Sequence, residues 1–242
     1  MMNTDWDTLD WLSSARAIVE WTEGIDAGSP IALVLRHSHR EVIKDYQEML
    51  SGGLTEIGLS MSQEMGRRLP PGRTVSVYSS FVPRCYDTAL AISEGITQMG
   101  GTVESVQTLD SLFSPDYTQE EVWSHLQPDG RNVTEFVNRW ADGELGDGIE
   151  PYENFARRLV DDTVTRLLAA SEGVLHIHVT HDLSLMSLKR ALYFRALTPE
   201  DREPYLGGLG MYFKDDRVTV FAGATRQTVS MIPPRDLQTD AR

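Results

Sequence analysis

Uninterrupted apolar runs that stop at polar residues mark the predicted strands of this chain. Residues 31–35 (IALVL) are all apolar, and residues 174–180 (VLHIHVT) are apolar apart from two histidines and a final threonine. Short runs of this kind indicate strands that are buried on both faces, as in a parallel sheet covered by helices on each side. Residues 74–78 (TVSVY) and 102–106 predict two further strands, and residues 211–221 predict a closing hairpin.

Apolar residues at helical spacing predict helices between these strands. In the stretch LTEIGLSMSQEMGRRL, Met61 belongs to a stripe that recurs every four residues, and Thr55 is placed to cap the helix. Pro83 suits the first turn of another helix. The same spacing predicts amphipathic helices over residues 5–22 and 152–170.

The order of these elements predicts a single α/β domain over residues 1–242, built as a three-layer αβα sandwich around a mostly parallel sheet. Residues 1–29 are interpreted as a helical appendage, and residues 223–242 as a loose tail. Residues 109–151 are too long for a simple connection, so we expect an inserted lid over the site. Five lid side chains are candidates for touching substrate, although local packing is the better interpretation of each: Tyr117, Trp123, Arg131, Arg139 and Trp140.

Composition narrows the classes of function. The chain has 242 residues, of which 40% are hydrophobic and 24% charged, as in ordinary globular proteins. A formal net charge of −14 disfavours nucleic acid and anionic membranes as partners. Cys85 is the single cysteine, the N-terminus lacks the features of a signal peptide, and no apolar run is long enough to span a membrane. We therefore expect a cytoplasmic protein, and the sequence leaves its oligomeric state open.

Basic and acidic side chains follow the predicted strands or begin the helices after them. They are Arg36, His37 and Arg40 after the first strand, Arg84 at the start of the helix after the second, and His181 and Asp182 after residues 174–180. Ligands of open α/β sheets bind beyond the carboxyl ends of the strands, and the N-terminus of a helix attracts anions. Together these residues predict a site for an anionic group such as phosphate.

Four stretches resemble the histidine phosphatase (phosphoglycerate mutase-like) superfamily, in the family's order: LVLRHSHR, LTEIG, SSFVPRCYDTA and VTHD. They cover most of residues 31–194. The resemblance implies an αβα sandwich whose catalytic histidine becomes phosphorylated, and it maps that histidine onto His37. It also maps Arg36, Arg84 and His181 onto the remainder of the phosphate pocket.

The branch of this superfamily stays open on the sequence. Arg40 and Asp182 are similar to the acid-phosphatase-like branch, which has the pattern RHGxR, but Ser38 and Glu41 stand where glycine and proline are usual. Asp182 is our first candidate for the general acid. Asp110, at the edge of the predicted lid, is the second candidate, because the other branch carries its acidic donor in roughly that place.

The chemistry of these residues predicts a phosphomonoester hydrolase that acts through a covalent phosphohistidine. A neutral imidazole at His37 is able to attack phosphorus, and guanidinium groups match the geometry of phosphate oxygens. Arg40 is predicted to bind the substrate together with Arg36 and Arg84. We expect a small phosphorylated substrate and no cofactor or metal.

Three alternatives remain. Five of the six histidines lie in H-x-H and H-x-H-x-x-H-D patterns, which could indicate a metal-dependent hydrolase, although nearby arginines would repel a divalent cation. A phosphoglycerate-mutase-like phosphotransferase would use the same residues as a phosphatase. A non-catalytic relative that binds phosphate is the third alternative.

Overall fold

The computed structural model describes residues 5–42, 50–126 and 130–232, which form one seven-stranded sheet. The strands are β1 (Ile31–Arg36), β2 (Thr74–Ser79), β3 (Thr102–Thr108), β4 (Val174–Thr180), β5 (Gly208–Lys214), β6 (Arg217–Ala222) and β7 (Gln227–Met231). Their order is β3-β2-β4-β1-β5-β6-β7. The pairs among β1 to β4 are parallel, and β5, β6 and β7 add antiparallel pairs, so β1 to β4 and β6 run in one direction. The predicted mostly parallel sheet is confirmed.

Helices cover both faces of the sheet. They are α1 (Asp5–Thr8), α2 (Ser13–Glu23), α3 (Glu56–Arg68), α4 (Pro83–Gln98), α5 (Val133–Ala141), α6 (Tyr152–Val160), α7 (Arg166–Leu168) and α8 (Asp182–Tyr193). Successive side chains of a strand point to opposite faces. Leu33 of β1 accordingly packs with α2, α3 and α4, whereas Val34 packs with α5, α6 and α8. The predicted three-layer αβα sandwich is confirmed.

The central position of β1 places the candidate site. This strand lies between β4 and β5, and Arg36 is opposite Thr180 of β4. His37 and His181, the first residues beyond the two parallel strands, therefore leave the sheet side by side. A backbone hydrogen bond from His37 N to Thr180 O, 2.9 Å long, extends the pairing beyond β1.

The N-terminal helix differs from the prediction because it is interrupted at Leu9. This residue has an extended backbone (φ −75°, ψ 120°), and a short 3₁₀ helix over Asp10–Leu12 connects α1 to α2. Arg16 Nη1 donates to the carbonyl oxygens of Trp6 (2.7 Å) and Leu9 (3.0 Å). The bond to Trp6 gives a partner to a carbonyl group at the interruption, and the carbonyl group of Leu9 also accepts from Leu12 N over 3.1 Å. The long helix expected over residues 5–22 therefore forms as shorter pieces.

The helix predicted over residues 152–170 also contains an irregular turn. A π-helical segment over Asp161–Thr165 separates α6 from α7. Thr163 and Val164 within it are buried, so both residues of the wider turn pack into the core. The spacing of apolar residues does not reveal the extra residue that such a turn accommodates.

The predicted loose tail is wrong for residues 227–231, which form β7 at the edge of the sheet. Four of its five residues are exposed, so the strand lacks the apolar alternation by which strands are recognised. Residues 233–242 lie outside the described residues.

The predicted lid contains short helices within its described part, and several of its side chains belong to the core. Phe136 and Trp140 of α5 are buried in the cluster that also contains residues of α8. Trp140 Nε1 donates to the carbonyl oxygen of Glu150 (2.8 Å), so this candidate for touching substrate has a structural role. That residues 109–151 cover the site stays a prediction.

No helix in the described part of the chain is sufficiently long and apolar to cross a membrane.

Candidate active site

His37 lies at the bottom of the candidate site with its Nε2 atom turned toward cationic groups. The side chain is 3% exposed, and its Nδ1 lies 2.8 Å from the carbonyl oxygen of Ser38. Arg84 Nε donates to His37 Nε2 over 3.2 Å. Nδ1 must carry the proton in this arrangement, so the lone pair of Nε2 points into the site. Burial, and then the charges of Arg84 and Arg36, hold the pKa of His37 well below its ordinary value, which keeps the imidazole neutral.

Arg84 links the two histidines of the site. It is the second residue of α4, which Pro83 begins, so it lies beside the unpaired N–H groups of the helix N-terminus. Its Nη2 donates to His181 Nδ1 over 3.0 Å, while its Nε reaches His37. The guanidinium is buried beside both rings, at the place where an anion would gain from its charge and from the helix dipole.

His181 is buried and held by hydrogen bonds to both ring nitrogens. Since Nδ1 accepts from Arg84, Nε2 carries the proton and donates to Ser80 Oγ over 2.9 Å. Burial, followed by the charges of Arg84 and Arg36, lowers the pKa of His181 well below its ordinary value. The ring centroids of His37 and His181 are 5.7 Å apart.

Arg36 is fixed from three sides. Its Nη1 donates to the carbonyl oxygen of Glu203 (3.0 Å), its Nη2 lies 3.3 Å from Asp182 Oδ2, and its guanidinium carbon lies 4.5 Å from the centre of the Tyr205 ring. Arg36 Nε is buried and has no hydrogen-bond partner among the described residues. The side chain is therefore held in place, and its Nε keeps an unused donor.

Asp182 is held between two guanidinium groups. Besides the contact with Arg36, its Oδ2 accepts hydrogen bonds from Arg202 Nε (2.9 Å) and Arg202 Nη2 (2.7 Å). A carboxylate in this position orients Arg36 through Oδ2, whereas its Oδ1 is buried and has no hydrogen-bond partner among the described residues.

A buried ion pair lies behind Arg36. Lys189 Nζ is 2.5 Å from Glu203 Oε1, and both side chains are completely buried. Glu203 Oε2 accepts a hydrogen bond from Ser14 Oγ of α2. The N-terminal appendage therefore contacts the residue whose carbonyl oxygen holds Arg36.

The loop after β1 lies directly against α3 and α4. Ser38 N donates to Thr88 Oγ1 (3.0 Å), and Ser38 Oγ donates to the carbonyl oxygen of Gly58 (2.8 Å). A Cβ atom at Gly58 would overlap the carbonyl oxygen of His39, so the helix requires glycine there. Thr55 Oγ1 accepts from Gly58 N over 3.1 Å and caps α3, as predicted. The LTEIG stretch thus positions the loop that carries His37.

Arg40 and Asp110, the two remaining predicted site residues, lie at the edges of the site. Arg40 Nη1 donates to the carbonyl oxygen of Glu41 over 2.8 Å, and its charge contributes to the lowered pKa of His181. Asp110 is exposed and begins a 3₁₀ turn after β3. The preceding residue donates a backbone hydrogen bond to Ser79, next to the serine that contacts His181.

His176 and His178, two histidines of the metal alternative, pack against Tyr78. His178 stacks on Tyr78 with ring centroids 4.9 Å apart, and His176 lies 6.2 Å from His178. Burial lowers the pKa of His176 to about 4 and that of His178 to about 3. Neither ring nitrogen of His178 is in hydrogen-bonding geometry, although the carbonyl groups of Leu33 and Asp162 lie near enough to moderate its shift. Within residues 5–42, 50–126 and 130–232, no three His, Cys, Asp or Glu side chains are grouped to hold a metal ion.

Several residues of the site escape prediction from sequence. Ser80 could have been found from its place in SSFVPR, immediately after a strand. Arg202, Glu203 and Tyr205 lie in the connection between α8 and β5, which has no recognisable pattern, so only the fold brings them to Arg36.

Known proteins resemble this chain in sequence and in fold. A metal-independent phosphoserine phosphatase from Arabidopsis thaliana is 25% identical over 197 residues, which are 77% of this chain and 77% of that protein. A phosphoglycerate mutase from Bacillus anthracis superposes with a TM-score of 0.54 at 14% identity, over 83% of this chain and 98% of the other. A phosphoserine phosphatase variant from Entamoeba histolytica, in complex with phosphoserine, superposes with a TM-score of 0.52 at 15% identity, over 79% and 94%. The structural likenesses concern the fold alone.

A family model places the chain among these proteins. The model of the histidine phosphatase superfamily (branch 1) matches residues 32–201, and this stretch contains His37, Arg84 and His181. The match also resolves the branch that the sequence leaves open. The chain thus belongs to branch 1 of the histidine phosphatase superfamily, and its identification from sequence as a histidine phosphatase is confirmed at the level of the family.

Proposed function

We propose that this protein is a metal-independent phosphomonoester hydrolase in which His37 forms a phosphohistidine intermediate. The observation that carries the proposal is the state of His37. Its Nδ1 is bonded to the Ser38 carbonyl, its Nε2 lone pair faces Arg84, and its lowered pKa keeps the ring unprotonated. A buried neutral imidazole among arginines combines a nucleophile with the charges that a phosphate group requires.

The reaction would proceed by two in-line displacements. His37 Nε2 attacks phosphorus, a P–N bond forms, and the P–O bond to the alcohol breaks; water then attacks the phosphohistidine and releases phosphate. Arg84, and Arg36 through an Nε that has no hydrogen-bond partner among the described residues, would bind the equatorial oxygens. His181 orients Arg84 through its Nδ1 and closes the pocket beside His37.

The leaving oxygen needs a proton, and the contacts favour Asp110 over Asp182 as its source. Asp182 is engaged with Arg36 and Arg202, so we assign it a positioning role. Asp110 is exposed at the end of β3, adjoining the β2 end that leads to Ser80. An acid placed there could protonate the alcohol and later activate water. Arg40 would contribute charge at the edge of the pocket.

The name of the Arabidopsis relative, a metal-independent phosphoserine phosphatase, supports hydrolysis of a small phosphorylated substrate without a metal. Release of phosphate to water would separate this function from the mutase alternative, which transfers the phosphoryl group to an acceptor.

The test is to trap the intermediate with chelator present. We expect hydrolysis of p-nitrophenyl phosphate in EDTA, and acid-sensitive phosphate on His37 in rapidly quenched, neutral-pH mass spectrometry. His37→Ala should abolish turnover, whereas His125→Ala, at an exposed histidine, should leave it unchanged. Activity that disappears in EDTA and returns with zinc or magnesium, or an adduct on His39 or His181, would refute the proposal.

A further inference from the structure

Two phenylalanine rings lie at the mouth of the site, next to His181. The ring centroids of Phe81 and Phe113 are 4.6 Å apart, and Phe113 lies 5.9 Å from the His181 ring. Phe81 is 50% exposed, and Phe113 is partly exposed. A single exposed apolar side chain is ordinary, but two rings in contact at the edge of a charged pocket form an apolar surface that a ligand could cover.

Phe81 and Phe113 lie in the two turns from which the leaving alcohol would be contacted. Phe81 lies three residues before Arg84, in the loop between β2 and α4. Phe113 N donates to the carbonyl oxygen of Asp110 over 3.0 Å, so this ring belongs to the same turn as the proposed acid. A substrate that directs its leaving oxygen toward Asp110 would therefore direct the rest of its alcohol toward Phe113 and Phe81.

The opposite side of the pocket is also aromatic. Tyr205 lies 5.7 Å from His37 and 5.2 Å from His39, and Trp11 lies 5.7 Å from His39. These rings continue the aromatic rim on the other side of the two catalytic histidines. An alcohol with a small polar body would meet few matching groups in this rim, whereas a planar ring would stack on the aromatic side chains.

We propose that Phe81 and Phe113 form the subsite for the leaving group, and that the preferred substrates are phosphomonoesters whose alcohol carries a planar ring. The inference rests on the proposed function, because it names the alcohol that the same site would release. Every phosphomonoester would place its phosphate in the same pocket, so the aromatic pair would determine which alcohol is preferred.

The experiment compares three esters of primary alcohols: benzyl, cyclohexylmethyl and n-propyl phosphate. Their leaving oxygens are similar, so differences in kcat/KM report contacts of the alcohol. Benzyl phosphate should be preferred over n-propyl phosphate by about 10-fold or more, as for an apolar pocket that gains several carbon atoms. Benzyl should also exceed cyclohexylmethyl, because only the planar ring stacks.

Variants of Phe81 locate the preference. Phe81→Ala should lower the benzyl to n-propyl ratio by about 3- to 10-fold, the range expected for loss of one aromatic contact. Phe81→Leu should retain the preference for large alcohols but lower the benzyl to cyclohexylmethyl ratio. The matched control is Phe194→Ala, at a ring that is 78% exposed beyond the far end of α8, which should leave both ratios as in the unmodified protein.

The possible outcomes distinguish failure of this subsite from failure of the proposed phosphatase function. Equal kcat/KM for the three esters, or an unchanged ratio in Phe81→Ala, would overturn the subsite while leaving the phosphatase intact. An equal loss for all esters in Phe81→Ala would also overturn it, since the ring would then only shield His181. Hydrolysis of none of the esters, without a phosphohistidine at His37, would refute the proposed function instead.

Discussion

The buried pair of Lys189 and Glu203 allows a quantitative prediction about the support of the active site. Lys189 Nζ lies 2.5 Å from both Glu203 Oε1 and the carbonyl oxygen of Asp201, and neither Lys189 nor Glu203 has an exposed side-chain surface. Glu203 holds Arg36 through its backbone carbonyl. Lys189→Met preserves much of the volume but leaves the Glu203 carboxylate buried without its counter-ion.

The expected cost is large because this carboxylate is completely buried. Removal of one partner from a buried ion pair costs about 3–5 kcal/mol. Against a total free energy of unfolding of about 5–15 kcal/mol for a typical domain, the loss would be easily measured. In the double variant Lys189→Met/Glu203→Gln the charge is gone as well, so we expect at least half of the lost stability to return.

The assay is urea denaturation at pH 7, followed by the fluorescence of the five tryptophans. Lys214→Met, at an exposed lysine, is the control and should change the free energy of unfolding by less than about 0.5 kcal/mol. A cost below about 1 kcal/mol for Lys189→Met, or a double variant no more stable than the single one, would refute the argument that this pair is a dry, mutually dependent unit.

Two further predictions concern proton transfer and the response to acid. If Asp110 is the general acid, Asp110→Asn should slow n-propyl phosphate more than p-nitrophenyl phosphate by about 10²–10⁴-fold, since nitrophenolate leaves without a proton. Asp182→Asn should slow the hydrolysis of both esters equally. The reverse pattern would assign the general acid to Asp182. Burial lowers the pKa of His178 to about 3 in the folded protein, whereas the same histidine titrates near 6.5 in the unfolded chain. Between these pH values the unfolded chain binds one more proton than the folded chain, so the free energy of unfolding decreases as the pH falls from 6.5 toward 3. His178→Phe should reduce this slope by up to about 1.4 kcal/mol per pH unit in urea denaturation between pH 6 and 4, and an unchanged slope would show that the histidine protonates within the fold.

The parts of the fold that follow from local pattern were predictable. β4 begins and ends where expected, because polar residues on both sides of an apolar run mark the ends of the strand. Thr55 caps α3 as expected, because the cap is a contact between residues three positions apart. The interruption at Leu9 depends on Arg16 reaching back to two carbonyl groups, and β7 depends on pairing with β6. Neither leaves a signal in hydrophobic periodicity.

In the candidate site, too, some contacts follow from local sequence pattern and others only from the fold. His37 and His181 stand at the ends of neighbouring strands, so their approach follows from the general arrangement of parallel sheets. The ion pairs of Asp182 could not be foreseen, because Arg202 lies twenty residues further along the chain, beyond α8. Sequence position favours Asp182 as the acid, whereas its contacts with guanidinium groups are the reason why we propose Asp110 instead.

The hydrogen bond between Ser14 and Glu203 has a consequence for where this domain can be cut. The stretch that matches the family model begins at residue 32 and ends at residue 201, so it contains neither of these residues. A fragment trimmed to that stretch would retain His37 but lose the carbonyl group that fixes Arg36, and it would expose the apolar surface on which α2 packs. The N-terminal segment is thus an integral layer of the domain, and domain limits drawn from homology alone would remove part of the support of the candidate site.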